Sequence, residues 1–141
     1  APPEIVSVPT PVVPREKPPR ITSWAKAVEK EEGYFEGSRS WKNRNPGNLE
    51  WSSLTASLGA SGKDPAIDGG FFCVFPSYGI GFQALCSFLK LGAEDKLKDY
   101  HNSRTILLFT RTFALPPSDQ YALNVAKALG VSVDTDIAEL L

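Results

Sequence analysis

The amino-acid sequence predicts an α+β fold that is mostly α-helical and carries one small β-hairpin. Several segments repeat apolar residues every three or four positions, which is the spacing of a buried helix face. Strand-like runs are few and short, namely NLEW at 48–51 and FFCVF at 71–75. We therefore expect four to six helices and a two-stranded antiparallel hairpin whose strands are joined by a long polar loop at 52–70.

The first 20 residues differ in composition from the rest of the chain. They hold seven of its twelve prolines, and proline favours an extended polyproline conformation. We interpret residues 1–20 as a semi-rigid linker and residues 21–141 as the folded domain. A proline-rich ligand for a partner module is the alternative interpretation. Because the sequence contains no methionine, we expect the chain to be part of a larger polypeptide.

The first predicted helix begins near Ile21. Thr22 or Ser23 is the expected N-cap, and Gly33 is the expected stop because glycine readily ends a helix in a left-handed conformation. The apolar residues predicted to form the buried face of this helix are Trp24, Val28 and Phe35. The segment 36–48 that follows is rich in Gly, Ser, Asn and Pro, so it predicts turns.

Three further helices follow the second predicted strand. The hydroxyl residues expected to cap them are Ser77, Thr105 and Ser118. Gly92 and Gly130 are the expected stops of the first and last of these helices. A short polar helix is expected at 94–101, and a final turn at 135–141 is expected to pack its leucines on the core.

Charge and cysteine content exclude several classes of function. With 15 basic and 16 acidic residues, the chain lacks the basic surplus that phosphate binding requires, so we expect no nucleic-acid partner. No run of 18 apolar residues occurs, so we expect no membrane insertion. Cys73 and Cys86 are predicted to be buried free thiols rather than a disulfide. His101 is the only histidine and no C-x-x-C occurs, so we predict neither a metal site nor a cofactor.

Glu31 and Glu32 lie at the end of the first predicted helix, on or beside its apolar face. A carboxyl group pressed against apolar atoms has a raised pKa, because burial disfavours the charged form. A general acid needs that property to keep its proton near neutral pH. A solvated glutamate at a helix end is the simpler interpretation of the helix taken alone.

An amide-rich turn, with Asn43, Asn45 and Asn48, follows these acids. Side-chain amides donate and accept hydrogen bonds, so they suit the hydroxyl and N-acetyl groups of sugars. Asn, Pro and Gly are also ordinary turn formers, which explains the same residues without a ligand. A serine nucleophile is not expected, because no G-x-S-x-G occurs.

Taken together, these motifs resemble a lysozyme-like domain of the muralytic type found in phages and bacteria. The resemblance rests on the helix ending in Glu-Gly, on NRNPGNL, on FFCVFPSYGIGFQAL and on YALNVAKALGV, and it covers about residues 22–141. It departs from the family pattern at Arg44, where the family often has another Asn, and at the Glu31-Glu32 doublet. Cys73 is also unusual in the strand.

The resemblance implies a peptidoglycan-degrading enzyme that cleaves the β-1,4 bond between N-acetylmuramic acid and N-acetylglucosamine. Glu32 matches the catalytic general acid, and Glu31 is the alternative one residue away. The residues that the resemblance implies as sugar contacts are Asn45, Asn48, Ser77, Tyr78 and Tyr121. It also implies peptidoglycan glycan strands as the partner and a phage virion, the periplasm or the cell envelope as the location.

The sequence favours a lytic transglycosylase over a muramidase. A glycoside hydrolase usually places two carboxylates across the scissile bond. Beyond Glu32, only Glu50 lies on a strand expected at the cleft, and no second acid stands out. Two other interpretations stay open: a non-catalytic structural or glycan-binding module of a phage virion or cell-envelope machine, and a chitinase-like glycosidase.

Overall fold

The computed structural model describes residues 20–141. The linker predicted at 1–20 therefore lies, except for Arg20, outside the described residues. Within 20–141 the chain forms six α-helices, two short 3₁₀ helices and one two-stranded antiparallel sheet, which confirms the predicted α+β, mostly α class. No helix in this part of the chain combines the length and apolarity that crossing a bilayer requires.

The bounds of the regular elements are as follows: α1 Ile21–Glu31, α2 Arg39–Lys42, α3 Ser53–Ser57, β1 Gly62–Pro65, β2 Phe71–Val74, α4 Tyr78–Ala93, α5 Ile106–Phe113 and α6 Asp119–Leu129, with 3₁₀ helices at Lys98–Tyr100 and Ile137–Leu140.

Helix α1 begins at Ile21 and stops before Gly33 as predicted, but its predicted N-caps are wrong. Arg20 occupies the N-cap position without a side-chain hydrogen bond, so Thr22 and Ser23 lie inside the helix. The helix ends at Glu31, and Gly33 adopts a φ of +72°, the left-handed conformation that glycine tolerates best. Beyond this break the chain changes direction, which leaves Phe35 65% exposed instead of on the buried face.

The predicted hairpin forms, but its first strand is not the one expected. Strand β1 lies inside the segment predicted as a polar loop. It pairs antiparallel with β2, in a register that places Lys63 opposite Cys73. The segment 48–51 contributes one isolated bridge, between Glu50 and Phe72. It cannot continue as a strand because Ser52 caps α3, reciprocally with Thr55.

The core lies where α1, α4, α5 and α6 meet. The ring of Trp24 in α1 packs edge-on against Phe109 in α5, with centroids 4.9 Å apart, and both side chains are almost fully buried. Gly92 does not end α4 as predicted, since the helix continues to Ala93. A Cβ atom on Gly92 would lie 2.6 Å from the Phe109 ring, so close helix packing requires glycine there.

Most of the other predicted helix ends are confirmed. Ser77 and Thr105 cap α4 and α5 with side-chain hydrogen bonds, whereas Ser118 occupies the N-cap of α6 without one. Gly130 ends α6 in a left-handed conformation. The polar helix predicted at 94–101 is only the 3₁₀ turn Lys98–Tyr100.

The predictions for the C-terminal turn and the cysteines are also largely confirmed. Leu140 packs in the core, although Leu141 is 43% exposed. Both cysteines are free thiols, with Cys73 buried and Cys86 half-buried.

Candidate active site

A cleft of about 620 Å³ opens beside the C-terminal end of α1. Its lining combines Glu32 and Tyr121 with the segment 48–52, with Phe72 in β2, and with the segment 112–115 at the end of α5. We call this cavity the Glu32 cleft. Polar and aromatic groups share the lining, which is the usual character of a site that binds a small molecule or a chain of sugars.

Glu32 sits in the cleft as a largely buried carboxyl group. Burial raises its pKa from the ordinary 4.5 to about 7, and the nearby charge of Glu31 acts in the same direction. The Asn48 amide and the Tyr121 hydroxyl lower this pKa, because both stabilise the carboxylate, but burial outweighs them. Glu32 therefore holds its proton over a pH range in which an ordinary glutamate has lost it.

The backbone at the end of α1 holds Glu32 in place. Its amide donates to the Val28 carbonyl at 2.8 Å, so the residue is still tied to the last turn of the helix. Buried Trp24 and Val28 anchor that helix in the core. Glu31 also lines the cleft, and it additionally borders a second cavity of about 510 Å³ between α1 and α6.

Tyr121 and Asn48, two of the predicted sugar contacts, lie in the cleft with Glu32. The Tyr121 hydroxyl donates to Glu32 Oε1 at 3.4 Å, and burial together with the Glu32 carboxyl raises the pKa of Tyr121 well above its usual value. Asn48 Oδ1 is buried and accepts no hydrogen bond from residues 20–141. A buried acceptor without a partner costs free energy of folding, so Asn48 Oδ1 is a candidate contact for a ligand in the cleft.

Asn45, by contrast, is fully buried and all its hydrogen bonds are to the backbone. Its Nδ2 donates to the carbonyls of Leu49 and Cys73, each at 3.0 Å, and its Oδ1 accepts from the Leu49 amide at 2.9 Å. The side chain thus joins the Asn-rich turn to strand β2. In this conformation Asn45 holds the backbone of Leu49, within the segment 48–52, and does not itself line the cleft.

Ser77 and Tyr78 lie outside the residues that line the Glu32 cleft. The Ser77 hydroxyl accepts from the Ile80 amide at the start of α4. The Tyr78 hydroxyl donates to Glu29 and accepts from Lys26 at 2.7 Å, so it joins α4 to α1. The structure gives both residues contacts that position helices, and it does not bring either one to Glu32.

The sequence interpretation missed one side of the cleft. Asp99, Tyr100 and the segment 112–115 line it, although they come from parts of the chain that carry no recognisable motif. Burial raises the pKa of Tyr100 to about 12, and the charges of Glu50 and Asp99 add to that effect. The one signal in the sequence was an apolar residue, Leu115, directly before Pro116-Pro117, and the structure leaves this leucine 82% exposed.

Glu50, considered from sequence as a possible second acid, also lines the cleft. Its backbone is fixed by the bridge to Phe72 and by the Thr55 hydroxyl, which donates to the Glu50 carbonyl at 2.6 Å. The carboxyl group itself makes no hydrogen bond or ion pair within residues 20–141. Glu50 is therefore an acidic side chain of the cleft that has a fixed backbone and a carboxyl group without a partner in residues 20–141.

Among residues 20–141, no group of three or more His, Cys, Asp or Glu side chains is arranged to hold a metal ion.

No protein-family model, curated protein or solved structure matches this chain.

Proposed function

We propose that the protein is a lysozyme-like glycosidase that cleaves the β-1,4 bond between N-acetylmuramic acid and N-acetylglucosamine in peptidoglycan. The observation that carries the proposal is Glu32: a carboxyl group with a pKa of about 7, fixed at a helix end in a cleft of about 620 Å³. The motifs around Glu32 and the Asn-rich turn supply the choice of substrate.

The proposed reaction begins with proton transfer from Glu32 to the glycosidic oxygen. The C1–O bond then breaks, the oxygen leaves as a hydroxyl group, and positive charge develops at C1 of the muramic acid residue. A general acid with a pKa near the working pH is well suited to this step, because it is protonated yet still a good proton donor. Tyr121, which donates to Glu32 Oε1, stabilises the carboxylate that remains.

Two nucleophiles can then complete the reaction. Attack by the C6 hydroxyl of the same sugar gives a 1,6-anhydro end and returns the proton to Glu32, whereas attack by water gives a reducing end. We propose the first, lytic transglycosylase route, because one carboxyl group can serve as both acid and base. Glu50 gives the hydrolytic muramidase route a candidate base, since it lies in the same cleft.

Digestion of purified peptidoglycan by the full chain and by Glu32→Gln tests the proposal, with the released fragments identified by mass spectrometry. We expect anhydro-muropeptides from the wild type and none from the variant, with Lys96→Gln as a control because Lys96 is exposed and lies outside both cavities. Reducing ends would replace the transglycosylase route by the muramidase route. Absence of cleavage across several wall types and pH values would contradict the proposal of an enzyme and favour a structural or glycan-binding module. Cleavage of chitin oligomers alone would identify a chitinase-like enzyme.

A further inference from the structure

Acidic side chains dominate the charge of the Glu32 cleft. Among the described residues that line it, four carry carboxyl groups and none is Lys, Arg or His; the four are Glu31, Glu32, Glu50 and Asp99. Like charges repel most strongly where water is partly excluded, so this lining opposes any carboxylate of a ligand. In the proposed substrate, only the N-acetylmuramic acid residues carry carboxylates: on the lactyl group where no stem peptide is attached, and on the stem peptide where one is.

One cation stands directly beside this acidic lining. Lys63 Nζ lies 5.0 Å from the ring centroid of Trp51, which lines the cleft, and 4.9 Å from that of Phe71. The two rings project from main-chain segments that are joined, since the Trp51 amide donates to the Phe71 carbonyl at 2.8 Å. We call Lys63, Trp51 and Phe71 the cationic corner.

The side chains of the cationic corner remain accessible to a ligand. Lys63 is exposed and makes no ion pair or side-chain hydrogen bond with any residue in 20–141. Phe71 is 42% exposed, and Trp51 is half-buried at the edge of the cleft. The other cation over a ring near the hairpin, Arg39 above Phe72, is instead bonded to Asp64 at 2.7 Å. Of these two cations over aromatic rings, Lys63 is thus the one without an ion pair within residues 20–141.

We propose that the cationic corner binds the carboxylate-bearing sugar of the glycan strand. The apolar face of a hexopyranose ring packs on Trp51 or Phe71, and Lys63 pairs with the carboxylate of the lactyl group or the stem peptide. Because the rest of the cleft repels that carboxylate, the corner fixes which of the two alternating sugars lies at the hairpin side. Lys63 is then a specificity residue that separates peptidoglycan from chitin, whose sugars are uncharged. This inference rests on the proposed function.

The test compares two forms of the same glycan strand, freed of stem peptides: one with lactyl carboxylates and one with those carboxylates converted to amides. For Lys63→Gln we expect kcat/KM on the carboxylate form to fall about threefold to fivefold, mainly through KM, as for the loss of one partly exposed ion pair. We expect the amide form to be cleaved at the wild-type rate. Lys63→Arg should keep most of the wild-type preference for the carboxylate form over the amide form, and Lys96→Gln should keep all of it.

The possible outcomes separate this inference from the proposed function. If Lys63→Gln slows both strands equally, Lys63 acts by supporting the rings and the inference is wrong. If Lys63→Gln slows cleavage of neither strand, the cationic corner does not bind the carboxylate and the inference is also wrong, but the proposed function is unaffected. Binding to each strand is measured by calorimetry in the same samples. If the wild type neither cleaves nor binds either strand, the proposed function fails and the inference fails with it.

Discussion

The Asn-rich turn and the Glu32 cleft both hold polar side chains against apolar neighbours, but they satisfy those side chains differently. In the turn, Asn45 makes three hydrogen bonds to the backbone and is fully buried. In the cleft, three residues further along, Asn48 keeps a buried oxygen without a partner in residues 20–141. The carboxyl group of Glu32 beside it accepts a long hydrogen bond of 3.4 Å from the Tyr121 hydroxyl and is also stabilised by the Asn48 amide.

This difference separates polar groups that build the fold from polar groups that are available to a ligand. A buried polar group that is fully hydrogen-bonded stabilises the folded state, and its loss leaves its partners unsatisfied. A polar group left without partners in a cleft costs free energy of folding, and it is retained where it has chemistry to perform. Substitutions in the two regions should therefore have different effects.

The largest expected effect is on turnover at Glu32. Removing a general acid costs about 100-fold or more in rate, so Glu32→Gln should reduce peptidoglycan cleavage at least that far. Glu31→Gln is the matched control and should cost less than about 10-fold, since Glu31 acts on Glu32 only through its charge. Initial rates of muropeptide release measure both. Equal losses in the two variants would contradict the assignment of Glu32 as the acid.

The next effect concerns the stability of the turn. Asn45→Ala removes three hydrogen bonds and leaves backbone groups of Leu49 and Cys73 unsatisfied, so we expect the free energy of unfolding to fall by about 3 kcal/mol. Asn48→Gly is the control, because Asn48 has a φ of +47° that glycine adopts easily. It should change stability by less than about 1 kcal/mol while lowering turnover. Urea denaturation measures the free energy of unfolding of both variants. Similar losses of stability in the two would contradict the contrast between the turn and the cleft.

Much of this fold follows from local sequence signals, and the exceptions have tertiary causes. Ser77, Thr105 and Gly130 were placed correctly because a cap or stop depends on the residue's own backbone. Gly92 was misplaced because Phe109, 17 residues away in the sequence, requires a residue without a side chain there. Strand β1, GKDP, has no alternating apolar pattern, so only its pairing with β2 makes it a strand.

The site was predictable only in part for the same reason. The apolar face before Glu32 and the resemblance to muralytic domains singled out Glu32, and Asn48 and Tyr121 line the same cleft. Nothing in the sequence distinguishes Asn45 from Asn48, since the difference arises from the Cys73 carbonyl, 28 residues further on. Asp99 and Leu115 join the cleft only through the packing of distant segments.

A third prediction concerns the pH dependence of stability. Folding raises the pKa of Glu32 from 4.5 to about 7, so the folded state binds more protons than the unfolded state between these values. Stability contributed by this group therefore falls as the pH rises through that window, by about 3 kcal/mol in total. Glu32→Gln should be more stable than the wild type at pH 8 and nearly equal to it at pH 4, measured by urea unfolding. A constant difference at both pH values would contradict the buried state of this carboxyl group.

The smallest effect is expected at Tyr121. Its hydroxyl lowers the pKa of Glu32, so Tyr121→Phe should raise that pKa and move the basic limb of the activity profile upward, by less than about one pH unit. Activity from pH 5 to 9 measures the shift. Phe82→Leu serves as a control at a half-buried aromatic residue outside the cleft. A downward shift would show that the hydroxyl does not donate to the carboxylate.

The central claim is that the cleft keeps Glu32 protonated near neutral pH, and a direct titration tests it. Carbon-13 NMR of the glutamate side-chain carboxyl groups, with the Glu32 signal identified by its absence in Glu32→Gln, reports this pKa in the intact chain. We predict a midpoint of about 7 for Glu32. A midpoint near the ordinary value of 4.5 would contradict the claim, because Glu32 would then be ionised at neutral pH and have no proton to donate.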